Sequence, residues 1–186
     1  MGVWPFQSLC NAITPPWLIR IVYGQLEDWE DARGSPNDLA GPAFSRADES
    51  ISVYKVHSAV EEARVVAACQ LGRGQTPRKP LLAIRFFSRE LKLVGLRVDY
   101  SPGRTGVPSV DRAHRGMSGN GASYIKLADV VLARQREGHD RVRRMMRHRL
   151  VFQFRIFLDD NAEPISERAR QECQQLIEAL DPGRAS

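Results

Sequence analysis

RQREGHDRVRRMMRHR, residues 134–149, runs straight into LVFQFRIFL, residues 150–158, and these two segments decide the fold expected of the chain. The first gathers Arg134, Arg136, Arg141, Arg143, Arg144, Arg147 and Arg149 with His139 and His148, opposed only by Glu137 and Asp140. The second alternates. Phe152, Phe154, Ile156 and Leu158 fall on one side of an extended chain and Val151, Gln153, Arg155 and Phe157 on the other, the pattern of a partly covered central strand. Inside the basic run, Val142, Met145 and Met146 form an apolar stripe, so Asp140 to His148 is expected to be helical. Tyr124 to Arg136 reads as helix too, with Leu127, Val130 and Val131 inward and Gly138 as a bend or break. Val131 and Val142 are eleven residues apart, about three helical turns, so both halves would share a face. The arginines are then a rigid helical face leading into the sheet.

Working outward, Asp159 to Pro164 turns the chain and Ile165 to Leu180 forms an amphipathic helix. Ile165, Ala169, Cys173, Leu176, Ile177 and Leu180 lie on its apolar side, which makes Cys173 a core thiol. Residues 181–186 read as a loose tail. Upstream, residues 101–123 carry five glycines and two prolines with little apolar content, and so read as a long loop that is either functional or mobile. Leu96 to Tyr100 alternates as a strand. From Lys79 to Val94, Ala83, Phe86, Phe87, Leu91 and Val94 make a helical stripe that Gly95 would terminate. Ser58 and Glu61 match a capping box for a helix from Ala59 to about Leu71. Ile51 to Val56 and Trp17 to Tyr23 read as strands. Ala32 to Ser50, rich in Gly, Pro, Asn, Asp and Ser, is an irregular connection.

Strands and helices thus alternate in one domain spanning 1–186, of class α/β or α+β, with a mixed central sheet and flanking helices. The sheet is expected to include Ile51–Val56, Leu96–Tyr100 and Leu150–Leu158. The helices between them permit parallel neighbours.

Composition narrows the partner. A formal charge of +5, carried mostly by arginine, with a pI near 9.4 favours anionic partners, because the guanidinium fork matches phosphate and carboxylate. Cys10, Cys69 and Cys173 have neither CxxC nor Cys/His spacing and read as reduced thiols of a cytoplasmic protein. Met1 to Trp17 lacks a basic n-region and is interrupted by Pro5, Pro15 and Pro16, so neither a signal peptide nor membrane association is expected. No HxxxH or HExxH spacing exists, and no metal or cofactor is implied.

Two sites are candidates. In the basic run, Arg136, Arg143, Arg144 and Arg147 would neutralise phosphates or carboxylates, although no aromatic interleaves the run to stack on bases. The acidic patch Glu27, Asp28, Glu30 and Asp31 could hold a divalent cation through oxygen ligands but reads first as a solvated face, with an internal ionic contact to the basic run as a further reading. In the long loop, His114 is placed to act as general acid or base beside Asp111, while Arg112, Arg115 and the amides around Gly119 hold an anion at a helix start. The glycine spacing is neither a dinucleotide fingerprint nor a P-loop. The leading expectation is a non-enzymatic binding module whose basic face meets nucleic acid or an acidic protein surface. An enzyme acting on a phosphate-containing substrate through His114 is one alternative. A subunit of a larger assembly, or an oligomer, is the other.

Overall fold

The computed structural model describes residues 16–23, 43–44, 50–71, 80–160 and 165–181. In chain order these form β1 (Trp17–Tyr23), β2 (Ile51–Val56), α1 (Ala59–Ala68), β3 (Pro80–Phe87), α2 (Ser88–Leu93) and β4 (Arg97–Tyr100). There follow α3 (Pro108–Ala113), β5 (His114–Ser118), α4 (Gly121–Arg136), β6 (Val142–Arg144), α5 (Arg147–Asp159) and α6 (Glu167–Leu180). The six strands make one sheet in the order β4-β5-β2-β1-β3-β6. Every pairing among the described strands is antiparallel, so the class is α+β and the parallel neighbours that the sequence permitted do not occur among them.

The sheet is covered on both faces. Leu18, Val22, Ile51, Val53, Leu82, Ile84, Phe86 and Met117 point to one side, where Tyr124, Leu127, Ala128 and Val131 of α4 close over them. Ile19, Ile21, Tyr54, Val56 and Ala83 point to the other, toward Val65 and Val66 of α1 and Leu150, Phe154 and Phe157 of α5. The central strands β1 and β3 therefore read as nearly unbroken apolar runs. α5 packs on α1, and α6 packs on α5. No helix among the described residues is long and apolar enough to cross a membrane.

Three expectations from sequence are overturned. Lys79 to Val94 is not one helix but β3 followed by the short α2. The apparent helical stripe came from two elements whose boundary lies between Phe87 and Ser88; within β3 alone, Leu82, Ile84 and Phe86 keep the two-residue period of a strand. Leu150 to Leu158 is no strand but most of α5. Its buried residues Leu150, Val151, Phe154 and Phe157 fit a helical period as well as the alternation fits a strand, which is the known ambiguity of short apolar runs. Asp140 to His148, finally, is not helical before Arg147: Val142–Arg144 is a strand. Gly138, at φ 87°, ends α4, and the chain then returns to the sheet: the Arg141 carbonyl accepts from the Arg85 amide at 2.7 Å. Gln135 Oε1 holds this turn, accepting from the amides of Arg141 (2.7 Å) and Val142 (2.9 Å). Of the three apolar anchors expected there, Met145 is buried and Val142 packs on the core, but Met146 is exposed.

The segment 101–123 is likewise ordered into α3, β5 and the start of α4. Other boundaries agree closely with the sequence. Ser58 Oγ accepts from the Glu61 amide at 3.2 Å, while the Glu61 carboxylate reaches the His57 amide at 2.7 Å. Gly95 follows α2 at φ 79°, the left-handed region a side chain disfavours. The acidic patch at 27–31, Cys10 and the tail after Asp181 lie outside the described residues.

Cys173 is fully buried against α5, and burial pushes its thiol from an ordinary 9.0 up to about 12. An acid whose folded pKa is raised keeps its proton in the native state while the unfolded chain releases it. Its contribution to stability is thus complete below pH 9 and is lost as pH rises toward 12. We expect Cys173 to resist a charged thiol reagent at neutral pH until the chain unfolds, as measured by labelling across a urea titration; rapid native labelling would contradict its burial.

Candidate functional site

The basic run divides into an inward and an outward set. Inward, Glu62 on α1 is only 1% exposed and accepts from Arg85 of β3 and, at 3.2 Å, from Arg143 of β6. Arg143 also bonds Asp140, and the Arg85 guanidinium lies 4.9 Å from the Trp17 ring. Burial, and then the neighbouring Arg143 charge, lower the Arg85 pKa to about 10; this remains far above neutrality, so the cation persists. A second buried pair joins Arg141 to Glu90 of α2 at 3.1 Å, and Glu90 also accepts from the Phe87 amide at 2.7 Å. Arg141 stacks over the Phe87 ring at 4.4 Å. These pairs fix β6 on the sheet edge. Of the four arginines expected to hold an anion in the basic run, Arg143 is thus already engaged with the protein's own carboxylates.

The outward set is different. Arg136, Arg144, Arg147 and Arg149 have no carboxylate partner among the described residues. Arg136 is exposed at the end of α4, where the helix dipole favours a cation. Arg144 turns to the opposite face of β6 from Arg143, because strand neighbours alternate, and its Nη2 is buried without a hydrogen bond. Arg147 and Arg149 open α5 with His148 between them. This is the unfavourable end for a cation: Met146 supplies no side-chain cap, the first turn holds no acid, and the free amides already carry partial positive charge.

Beside this end of α5 lies a groove of about 740 Å³ lined by Arg143, Arg147, His148, Arg149 and Arg155, with Asp140 and Asp181 as its carboxylates. Arg155 meets Asp181 at 3.2 Å, a half-exposed pair of small energetic weight. Val151, Phe152, Gln153 and Leu180 complete the wall, and Gln153 Oε1 is buried without a hydrogen-bond partner among the described residues. Comparison with protein-family models, curated proteins and solved structures finds no match for the chain. The groove therefore has to be read from its own chemistry. It offers guanidiniums, an imidazole and an uncapped helix N-terminus, a set suited to holding anionic oxygens.

The residues of the other candidate site have local roles. Asp111 Oδ1 accepts from the Thr105 amide (2.6 Å) and hydroxyl (2.7 Å), and Oδ2 from the Gly106 amide (3.3 Å), so its carboxylate shapes the turn before α3. His114 begins β5, bonds the Ser101 carbonyl through Nδ1 and stands edge-on to Tyr54 at 5.1 Å. Arg115 curls back onto the carbonyls of Arg112 (2.6 Å) and His114 (2.7 Å) and lies 5.0 Å from the Tyr100 ring. Arg112 and Arg115 do share a smaller cavity of about 270 Å³ with Lys55, His57, Glu61 and Arg64, but neither His114 nor Asp111 lines it. At Gly119 a Cβ would come within 2.3 Å of Leu96 Cδ2; the glycine lets the β5–α4 turn pack on the core. Asn120 caps α4 by accepting from the Ser123 amide at 2.8 Å, occupying an amide that an anion at that helix start would use.

Sequence reasoning missed Glu62, Glu90, Arg85, Arg149, Arg155, Phe152 and Gln153 as site residues. Glu62 has its partners Arg85 and Arg143 at 23 and 81 residues' distance along the chain; no local spacing reveals them. Arg155 and Phe152 had been placed on opposite faces of a strand, whereas on a helix they stand one turn apart.

Proposed function

We propose that the protein is a non-enzymatic binding module that engages an anionic partner through the α5 groove. The observation that carries this reading is the start of α5: Arg147, His148 and Arg149 crowd an uncapped, acid-free helix N-terminus on the rim of the groove. Like charges gathered at the positive end of a helix dipole oppose folding, by about 0.3–1 kcal/mol each at an exposed terminus. An anion seated there would reverse the sign of that interaction. The chemistry suits either the phosphates of a nucleic acid or the carboxylates of an acidic protein surface.

The test is the double substitution Arg147→Ala with Arg149→Ala, which spares the Arg143–Glu62 contact. Binding of an oligonucleotide or of polyglutamate should weaken, and for a nucleic acid the slope of log affinity against log salt should fall by roughly one per lost phosphate contact. Without any polyanion, the double variant should unfold at the same temperature as the parent or slightly higher. Unchanged affinity and salt slope for every polyanion bound would remove the assignment.

A further inference from the structure

Phe152 is 60% exposed on α5, although it lies in the most apolar segment of the helix. Its neighbours explain the kind of ligand that would cover it. On a helix, His148 stands one turn before Phe152, Arg155 one turn after, and Arg149 beside it at the i−3 position; all four line the same groove. An apolar ring is thereby framed by cationic and imidazole groups, over about 10 Å of helix from His148 to Arg155. The arrangement alternates a stacking surface with anion-binding groups. A duplex keeps its bases stacked inside and offers such a ring only phosphates. An acidic protein surface matches the cations, with no planar group required for the ring. A single strand supplies both partners in its repeating unit, a base with a free face and a phosphate on each side.

We propose that the α5 groove binds single-stranded nucleic acid, a base stacking on Phe152 while Arg147 and Arg149 hold the flanking phosphates. The proposal rests on the anion-binding reading of the same groove and adds the class of partner. The ring is exposed, so its removal leaves the core intact and isolates the stacking contact.

Fluorescence anisotropy of the full chain with labelled oligodeoxythymidylate and oligouridylate tests it, with a DNA duplex, polyglutamate and inorganic polyphosphate as comparators. The single strands should bind more tightly than the other three. Phe152→Ala should weaken single-strand binding by roughly tenfold or more, leave polyphosphate binding unchanged and leave the thermal unfolding midpoint unchanged, while Phe152→Trp retains affinity. Equal single-strand binding by parent and Phe152→Ala, with loss on Arg147→Ala/Arg149→Ala, would overturn the stacking contact and leave the anion reading standing. Preference for the duplex or for polyglutamate would overturn the single-strand assignment. If no polyanion binds, both readings fall together.

Discussion

Phe154→Ala is expected to cost about 3–5 kcal/mol of folding stability, whereas Phe152→Ala, two residues earlier, should change it by no more than about 0.5 kcal/mol. Phe154 is 1% exposed within the apolar cluster that α1, α5 and α6 share with one face of the sheet; Phe152 is 60% exposed. Truncating Phe154 leaves a cavity that the close-packed interior cannot collapse. The pair also distinguishes the two conformations available to residues 150–158. A strand would place both phenylalanines on one face and make their effects alike; a helix separates them by about 200°. Urea titrations of the two variants, with unchanged slopes, provide the measurement. Comparable losses at both positions would be incompatible with α5.

Glu62→Ala should be about as costly, at roughly 3–5 kcal/mol, because it leaves the largely buried Arg85 without its ion-pair partner, while Arg143 keeps only Asp140. The Arg85 and Arg143 side chains are only 14% and 21% exposed, and the carboxylate they share is 1% exposed. Arg85 also has a buried Nε with no partner, so solvent does not take over when Glu62 is lost. Apolar replacement of both ends, Glu62→Leu with Arg85→Met, should recover much of that loss, since a buried ion pair itself stabilises little over well-packed apolar groups. A double-mutant cycle followed by thermal unfolding measures the coupling. Additive single losses would show that the contact carries no energy of its own. The cycle bears on function as well, because the same Arg143 lines the α5 groove and is held there by Glu62.

The single-residue detail of these contacts shows where sequence patterns carry information and where they stop. Ile51–Val56, with its half-alternating apolar pattern, and Ala59–Ala68, with its Ser58 cap, form as their local patterns require. In both, one element supplies the period and a cap or turn supplies the boundary. Lys79–Val94 and Leu150–Leu158 failed for opposite reasons. The first merged two elements into one false stripe. The second satisfies two periods at once, and what selects the helix is the surface it packs on: α5 contacts α1 and α6, and Leu150, Phe154 and Phe157 are buried in their shared cluster. For the site, the arginine cluster was legible as a concentration of charge, but its division was not. Which arginines are engaged depends on Glu62 and Glu90, brought near by the β3–β6 pairing.

The sequence by itself determined a single-domain fold with helices on a sheet, the ends fixed by Ser58 and Gly95, and the basic character of residues 134–149. These are short-range properties: propensity, capping and charge act within a few residues of their source. Tertiary structure alone decided that residues 150–158 are helical, that Arg141 and Arg143 turn inward, and that Arg147, Arg149 and Phe152 face a common groove. Each of those outcomes depends on burying one particular surface against another, a free energy that exists only once distant segments have met.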